Sequence, residues 1–200
     1  MRIAIIGAGN VGGGLGTAFA RVGHDVVFGV RDPESPKTLA ALDAATGSRA
    51  TTPAEAVDGA DIIVVTVRPD ALRETAAELP SLDGQIVIDA MNRFGGDPTR
   101  STSQDLADLL PGARVAKAFN TIGFENLTTA SDRQTPAAMF VAGDDFDAKA
   151  AAMRLATEIG FEAFDAGPLA NAKPLEEMVR VWLALSTQHG RGVGFAISRR

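Results

Sequence analysis

Two hundred residues, 46% apolar and 22% charged, suffice for one large domain or for one domain with a small appendage, and that balance excludes a disordered chain. A formal net charge of −6 argues against a nucleic-acid binder, and no apolar run reaches the ~18 residues of a membrane span. Cysteine is absent, which excludes disulfides, thiolate metal sites and a catalytic thiol.

The chain starts directly with an apolar run, Ile3 to Ile6, and no charged-then-apolar leader precedes it; the expected location is the cytoplasm. Gly7-Ala8-Gly9-Asn10-Val11-Gly12 follows at once, and then Leu15, Ala18, Phe19 and Val22 stand at helical spacing. A strand, G-x-G-x-x-G and a helix make a dinucleotide-binding unit. Gly7 permits the tight turn, Gly9 lets a pyrophosphate approach the backbone, and Gly12 lets helix and strand pack closely. The helix N-terminus offers free N–H groups and a positive dipole end to the phosphates. Gly13, Gly14 and Gly16 weaken the helix signal, each costing about 1 kcal/mol against alanine.

The second strand is Asp25 to Val30, after a helix ending near Gly23. Its end lies beside the adenosine ribose in such folds, where an acidic residue favours NAD and an arginine favours NADP. Arg31 comes immediately after the strand and Lys37 reaches the same region, so NADP(H) is the expected cofactor. Asp32-Pro33 reads as a helix start, with Asp32 a cap facing away from the ribose. Helical stretches follow at 36–46, 71–79 and 103–110. Strands follow at 49–51 (weak), 61–67, 85–90 and 113–118. This alternation describes a doubly wound, mainly parallel α/β sheet. The division of the chain is a dinucleotide-binding domain over 1–125 and a small C-terminal α/β portion over 126–200. After a polar loop at 128–136, that portion holds strands at 138–141 and 161–164 and helices at 146–159 and 174–188.

Acid–base candidates are few. His24 lies in a turn at the bottom of the sheet, opposite the ligand edge, and His189 reads as a helix C-cap. There is no tyrosine, so a Tyr–Lys acid–base pair is impossible. Lys117 reads as a strand-edge charge or as a proton donor to substrate. Arg68 and Arg93 follow strands at their C-terminal ends and are expected either to bind an anionic group of the second substrate or to be solvated loop residues. No side-chain nucleophile and no metal site are expected. In the last helix Leu175, Met178, Val179, Val181, Trp182, Leu183 and Leu185 make a broad apolar face, suited to a homodimer interface or to packing on the chain's own sheet. Phe195, in a glycine-rich tail, either covers the site or anchors the tail.

The chain resembles the F420-dependent NADP oxidoreductase family, the NADPH-dependent coenzyme F420 reductases. The resemblance rests on the glycine loop, Gly29-Val30-Arg31, Lys117 to Gly123, Gly143-Asp144-Asp145 and Asp165 to Ala172. The last two segments are the more specific. It implies a Rossmann domain with a small C-terminal α/β extension, often homodimeric, and hydride transfer between NADP(H) and a deazaflavin (coenzyme F420) or related flavin-type acceptor. By that resemblance Ala8, Gly9, Asn10 and Val11 line the pyrophosphate, and Val30 with Arg31 hold the 2′-phosphate. Thr66, Val67, Met91 and Asn92 flank the ribose and nicotinamide, and Ile122 and Gly123 border the ring. The chain departs from the family at Arg68-Pro69, where a proline and a tryptophan are common. It departs again at Val30, where a serine is usual, and at Asn120-Thr121-Ile122-Gly123 in place of an HTIP-like segment. Reduction of a small imine or carbonyl compound, or non-catalytic sensing of NADP(H), are the other functions the residues allow.

Overall fold

The computed structural model describes residues 1–95 and 97–198. Its eight strands are β1 (Arg2–Ile6), β2 (Asp25–Gly29), β3 (Arg49–Thr51), β4 (Ile62–Val65), β5 (Ile86–Asp89), β6 (Arg114–Lys117), β7 (Ala138–Gly143) and β8 (Glu162–Asp165). The helices are α1 (Asn10–Arg21), α2 (Pro36–Ala44), α3 (Pro53–Val57), α4 (Leu72–Ala77), α5 (Thr102–Leu109), α6 (Phe146–Glu158) and α7 (Ala172–His189). None is long and apolar enough to cross a membrane among the described residues. The strands form one sheet in the order β3-β2-β1-β4-β5-β6-β7-β8. The first six are parallel. This is the Rossmann order, with its direction reversal between β1 and β4.

Side chains alternate between two apolar cores, one on each face of the sheet. Ile3, Ile5, Phe28, Val64 and Ile88 pack beneath α1, α2 and α6. Ala4, Ile6, Val27, Ile63, Val65 and Val87 pack beneath α3, α4 and α5. Covering both faces is what allows near-continuous apolar strands. α1 forms in spite of its glycines, because those positions are where neighbours press closest. A Cβ at Gly16 would lie 2.3 Å from the Phe28 ring, and one at Gly14 would lie 3.3 Å from Leu127. Burial of Leu15 and Phe19 on the same helix, each worth about 1.5–3 kcal/mol, offsets the propensity cost.

β7 joins the sheet antiparallel to β6 through two residue pairs, Ala116 with Gly143 and Lys117 with Ala142. β8 then runs parallel to β7. The segments Gly143–Asp145 and Asp165–Ala172 touch here. Asp144 Oδ1 accepts the Leu169 N–H at 2.9 Å, and the Gly143 N–H donates to the Gly167 carbonyl at 3.0 Å. They seat the start of α7. The tail after His189 folds back: Trp182 Nε1 donates to the Val193 carbonyl, and the Ala138 N–H donates to that of Phe195. Phe195 therefore anchors the tail by its backbone, with its side chain half-buried.

Candidate functional site

The glycine loop lies at the reversal point, at the carboxyl edge of the sheet. Gly7 has φ of +107°, which an L side chain rarely adopts, and a Cβ at Gly12 would lie 2.0 Å from the Gly7 carbonyl oxygen. Gly9 is different. Its φ of −74° is ordinary, and a Cβ there would meet nothing within 4 Å. Gly9 therefore leaves open space above the N-terminus of α1, while Gly7 and Gly12 hold the loop tight. Thr66 Oγ1 lies 3.1 Å from the Ile6 carbonyl and 3.0 Å from that of Gly7, so its one proton fastens β4 to the loop.

A cleft of about 450 Å³ opens beside this loop, and Gly7, Ala8, Gly9, Val30, Arg31, Lys37, Thr66, Val67 and Arg68 line it. Asn10 and Lys37 border an adjoining groove. Val11 packs against the core, and Gly12 is buried in the loop–strand contact. Arg31 is 65% exposed and, among the described residues, paired with the equally exposed Glu74 at 3.2 Å, so its guanidinium is available to an anion. Asp32 is not the cap of α2. Ser35 caps that helix by accepting the Thr38 N–H, while Asp32 Oδ1 accepts the Glu34 N–H in a turn, and Asp32 lines the cleft beside Arg31. Arg68 Nε donates to Asp70 at 2.9 Å, a hydrogen bond that holds the Asp70 carboxyl below its ordinary range.

Met91, Asn92, Ile122 and Gly123 lie further along the same edge, beyond β5 and β6. Met91 and Ile122 are buried, and Asn92 is half-buried. The chain leaves β6 through Phe119, whose φ of +58° is a strained backbone for an aromatic residue. The Phe119 ring stacks edge-on against Phe19 at 5.9 Å. Asn120 Nδ2 donates to Asn92 Oδ1 at 3.0 Å and to the Leu175 carbonyl at 2.9 Å, and Asn92 Nδ2 donates to the Asn120 carbonyl at 2.9 Å. Trp182 of α7 lies against Gly123, where a Cβ would be 2.5 Å from the ring. The Arg191 guanidinium sits 5.0 Å from the same ring and pairs with Glu125.

The polar centre of this edge was not legible in the sequence. Lys117, at the end of β6, is neither a strand-edge charge nor a proton donor facing substrate. Its side chain is wholly buried, and so are those of Asp89 and Glu176. Nζ lies 3.0 Å from Asp89 Oδ2, 2.6 Å from the Met91 carbonyl, 2.8 Å from Glu176 Oε1 and 3.0 Å from Thr102 Oγ1. An ammonium has three protons, so the two carboxylates and the carbonyl take them and Thr102 donates onward to a carboxylate. Ser103 Oγ also donates to Asp89. Glu176 accepts the Thr102 N–H at 2.8 Å and so caps α5 from another helix. Arg93 is directed into the fold, mostly buried and paired with Asp105, and does not offer itself to a second substrate. His24, in its turn, pairs with Glu158 at 2.8 Å. Among the described residues no group of side chains could hold a metal ion. Buried side-chain atoms without a hydrogen-bond partner include Arg93 Nε, Asn120 Oδ1, Thr121 Oγ1 and Glu176 Oε2, all on the segments that meet at this edge.

Comparison with known proteins agrees with this geometry. The sequence profile of a family described as NADP oxidoreductase, coenzyme F420-dependent, matches residues 2–93. The chain is 32% identical to the F420-dependent NADP reductase of Methanothermobacter thermautotrophicus, over 99% of this chain and 95% of that one. It is 30% identical to the metalloreductase STEAP3 of Rattus norvegicus over 88% of its own length, but spans only 36% of that larger protein. A crystal structure of a candidate F420-dependent NADP reductase from Arthrobacter sp. FB24 superposes with a TM-score of 0.86 at 26% identity, covering all of both chains. A Rossmann sheet with its glycine loop at the reversal point, and a relative matched from end to end, place the chain in the F420-dependent NADP oxidoreductase family.

Proposed function

We propose that the protein transfers hydride between NADP(H) and a deazaflavin, coenzyme F420, or a related flavin-type acceptor. The observation that carries the reading is the open space at Gly9, in one cleft with the exposed Arg31 and with Lys37. A pyrophosphate fits where a Cβ would otherwise stand, and two cations suit a 2′-phosphate. NADPH, when bound, supplies the hydride. The protein's part is orientation and exclusion of water. Gly7, Gly9 and Gly12 shape the phosphate seat, with Ala8, Asn10 and Val11 around it, and Thr66 holds the seat to β4. Val30, Arg31 and Lys37 receive the adenosine end. By the family resemblance Val67, Met91, Asn92, Ile122 and Gly123 border the nicotinamide, and Arg68, which lines the cleft, suits an anionic second substrate.

The division at 125/126 belongs to the same proposal, with residues 126–200 completing the second substrate's site. The contact of Trp182 with Gly123 supports it. A homodimer belongs to the proposal too, and the exposure of Val181 (54%) and Leu185 (38%) on α7 speaks for it. Sedimentation tests the dimer, and a clean 20.7 kDa monomer refutes it. A cytoplasmic location is tested by cell fractionation. The reaction itself is tested by NADPH oxidation with oxidised F420, FMN and FAD in parallel and NADH as the cofactor control. Turnover with F420 is expected. Turnover with flavins alone replaces the acceptor, and none with any acceptor ends the reading.

A further inference from the structure

We infer that Lys117, Asp89 and Glu176 are positioning residues. Their buried ion-paired cluster fixes the Met91–Asn92 and Asn120–Gly123 backbones, and with them the place of the nicotinamide ring, while Glu176 brings α7 under the same control. The inference rests on the reading of this edge as the NADPH site.

Met91 is clamped on both of its backbone groups. Its N–H donates to Asp89 Oδ1 at 2.8 Å, and its carbonyl accepts from Lys117 Nζ at 2.6 Å. The next residue, Asn92, is locked reciprocally to Asn120, and Asn120 holds the carbonyl of Leu175, the neighbour of Glu176. One chain of bonds thus runs from β5 and β6 through both loops to α7, with Lys117 at its centre. Stability does not ask for such a cluster. Taking three charges out of water is costly, and apolar side chains of similar volume serve stability as well or better. Directional bonds give what apolar packing cannot, a fixed place for each backbone. The cluster also spends its bonds unevenly. Among the described residues, Glu176 Oε1 makes the contacts of that carboxylate, while Oε2 is buried without a partner. A side chain retained at that cost is accounted for by what Oε1 places, the N-terminus of α5 and the Lys117 ammonium. Hydride transfer punishes misplacement: a shift of about 1 Å costs roughly a hundredfold in rate.

The test is Glu176→Gln, which keeps the shape and one acceptor oxygen but removes the charge that draws Lys117. Glu176→Asp, which keeps the charge and shortens the reach, serves with the same readouts if the amide variant does not fold. Three readouts are taken together. One is the rise in NADPH fluorescence on saturation, which reports the nicotinamide. Another is the affinity for 2′,5′-ADP, which has no nicotinamide. The third is the emission of Trp182, the only tryptophan. The fluorescence rise is expected to fall by at least about half, with 2′,5′-ADP affinity and Trp182 emission unchanged. With F420 as acceptor, kcat should fall roughly 10- to 100-fold with KM for NADPH little altered. An unchanged fluorescence rise overturns the inference. So does a joint change in all three readouts, which marks loosening of the fold. A wild-type protein that binds NADPH but does not reduce F420 refutes the proposed acceptor, and the fluorescence arm still decides the positioning role. A wild-type protein that binds no NADPH refutes both.

Discussion

Replacing Lys117 with methionine tests the buried cluster's energetics directly. The two side chains have similar length and volume, so the change opens little cavity and the effect is one of charge and hydrogen bonding. Nζ is within bonding distance of four acceptors, and without it Asp89 and Glu176 remain buried with no cation among their hydrogen-bond partners. Breaking a buried pair by removing one partner costs about 3–5 kcal/mol. That is a large part of the 5–15 kcal/mol typical of a whole domain, and at roughly 2–4 °C per kcal/mol it lowers Tm by about 6–20 °C. Urea unfolding followed by circular dichroism reads it, as a lower midpoint at unchanged slope. Adding Glu176→Met to the same chain removes one stranded charge. Asp89 keeps the Met91 N–H and the Thr102 and Ser103 hydroxyls, so the double variant should be more stable than the single one by about 1 kcal/mol or more. A single-variant loss below about 1 kcal/mol, or a double variant less stable than the single, refutes the account of Lys117 as the charge that holds this edge.

Gly9→Ala should leave Tm within a few degrees, since its Cβ meets nothing, yet weaken NADPH binding about tenfold or more; Gly12→Ala, aimed at the Gly7 carbonyl, should cost both stability and binding. Equal thermal losses in the two variants would undo the assignment of Gly9 to the ligand. Arg31→Ala should reduce NADPH affinity by roughly 10- to 100-fold and leave NADH affinity and Tm alone, as its partner Glu74 is equally exposed; titration calorimetry with both nucleotides decides it. Burial pushes the Glu125 carboxyl up, but the hydrogen bond from Arg191 outweighs it and holds the group below its ordinary 4.5. The stabilisation this link gives the tail is therefore complete above that value and is lost as pH falls through the lower folded value. Trp182 emission, with Arg191 stacked beside the ring, should change on acidification through the lowered Glu125 value, and Arg191→Ala should abolish that step.

The strands of the parallel sheet were legible because they are short apolar runs bounded by glycine, proline and aspartate, and the covered faces of the sheet demand that pattern. β3, only Arg49–Thr51, was found as well. α3 was not found: five residues are too few for a helical period. Its signal is local, with Thr52 as N-cap, Pro53 at the first helical position and Glu55 completing a capping box. Asp32 was misread because Asp-Pro and Ser-Pro are equally good starts, and the second, at Ser35-Pro36, is the one used. The glycine loop and Arg31 were readable because their neighbours lie close in sequence or follow the fold's rule for the second strand. The cluster was not. Asp89 and Glu176 stand 28 and 59 residues from Lys117, and only the sheet order and the seating of α7 bring them together. An acid closing the apolar run Ile86–Asp89, and a glutamate beside Leu175 and Val179, were the available hints.

The joint between β6 and β7 is two residue pairs long, although the sheet is continuous across it. Backbone bonding alone would let the chain open as two plates, six strands and two. α6 spans the seam, packing on β5, β6, β7 and β8, and much of its buried face is alanine: Ala148, Ala152 and Ala156 with Leu155. Cohesion across the seam therefore draws on small side chains of α6 together with the buried Lys117–Glu176 pair that ties α7 to β6. Amide exchange should reveal the seam, with β7, β8 and α6 opening together at a lower free energy than β1 and β4.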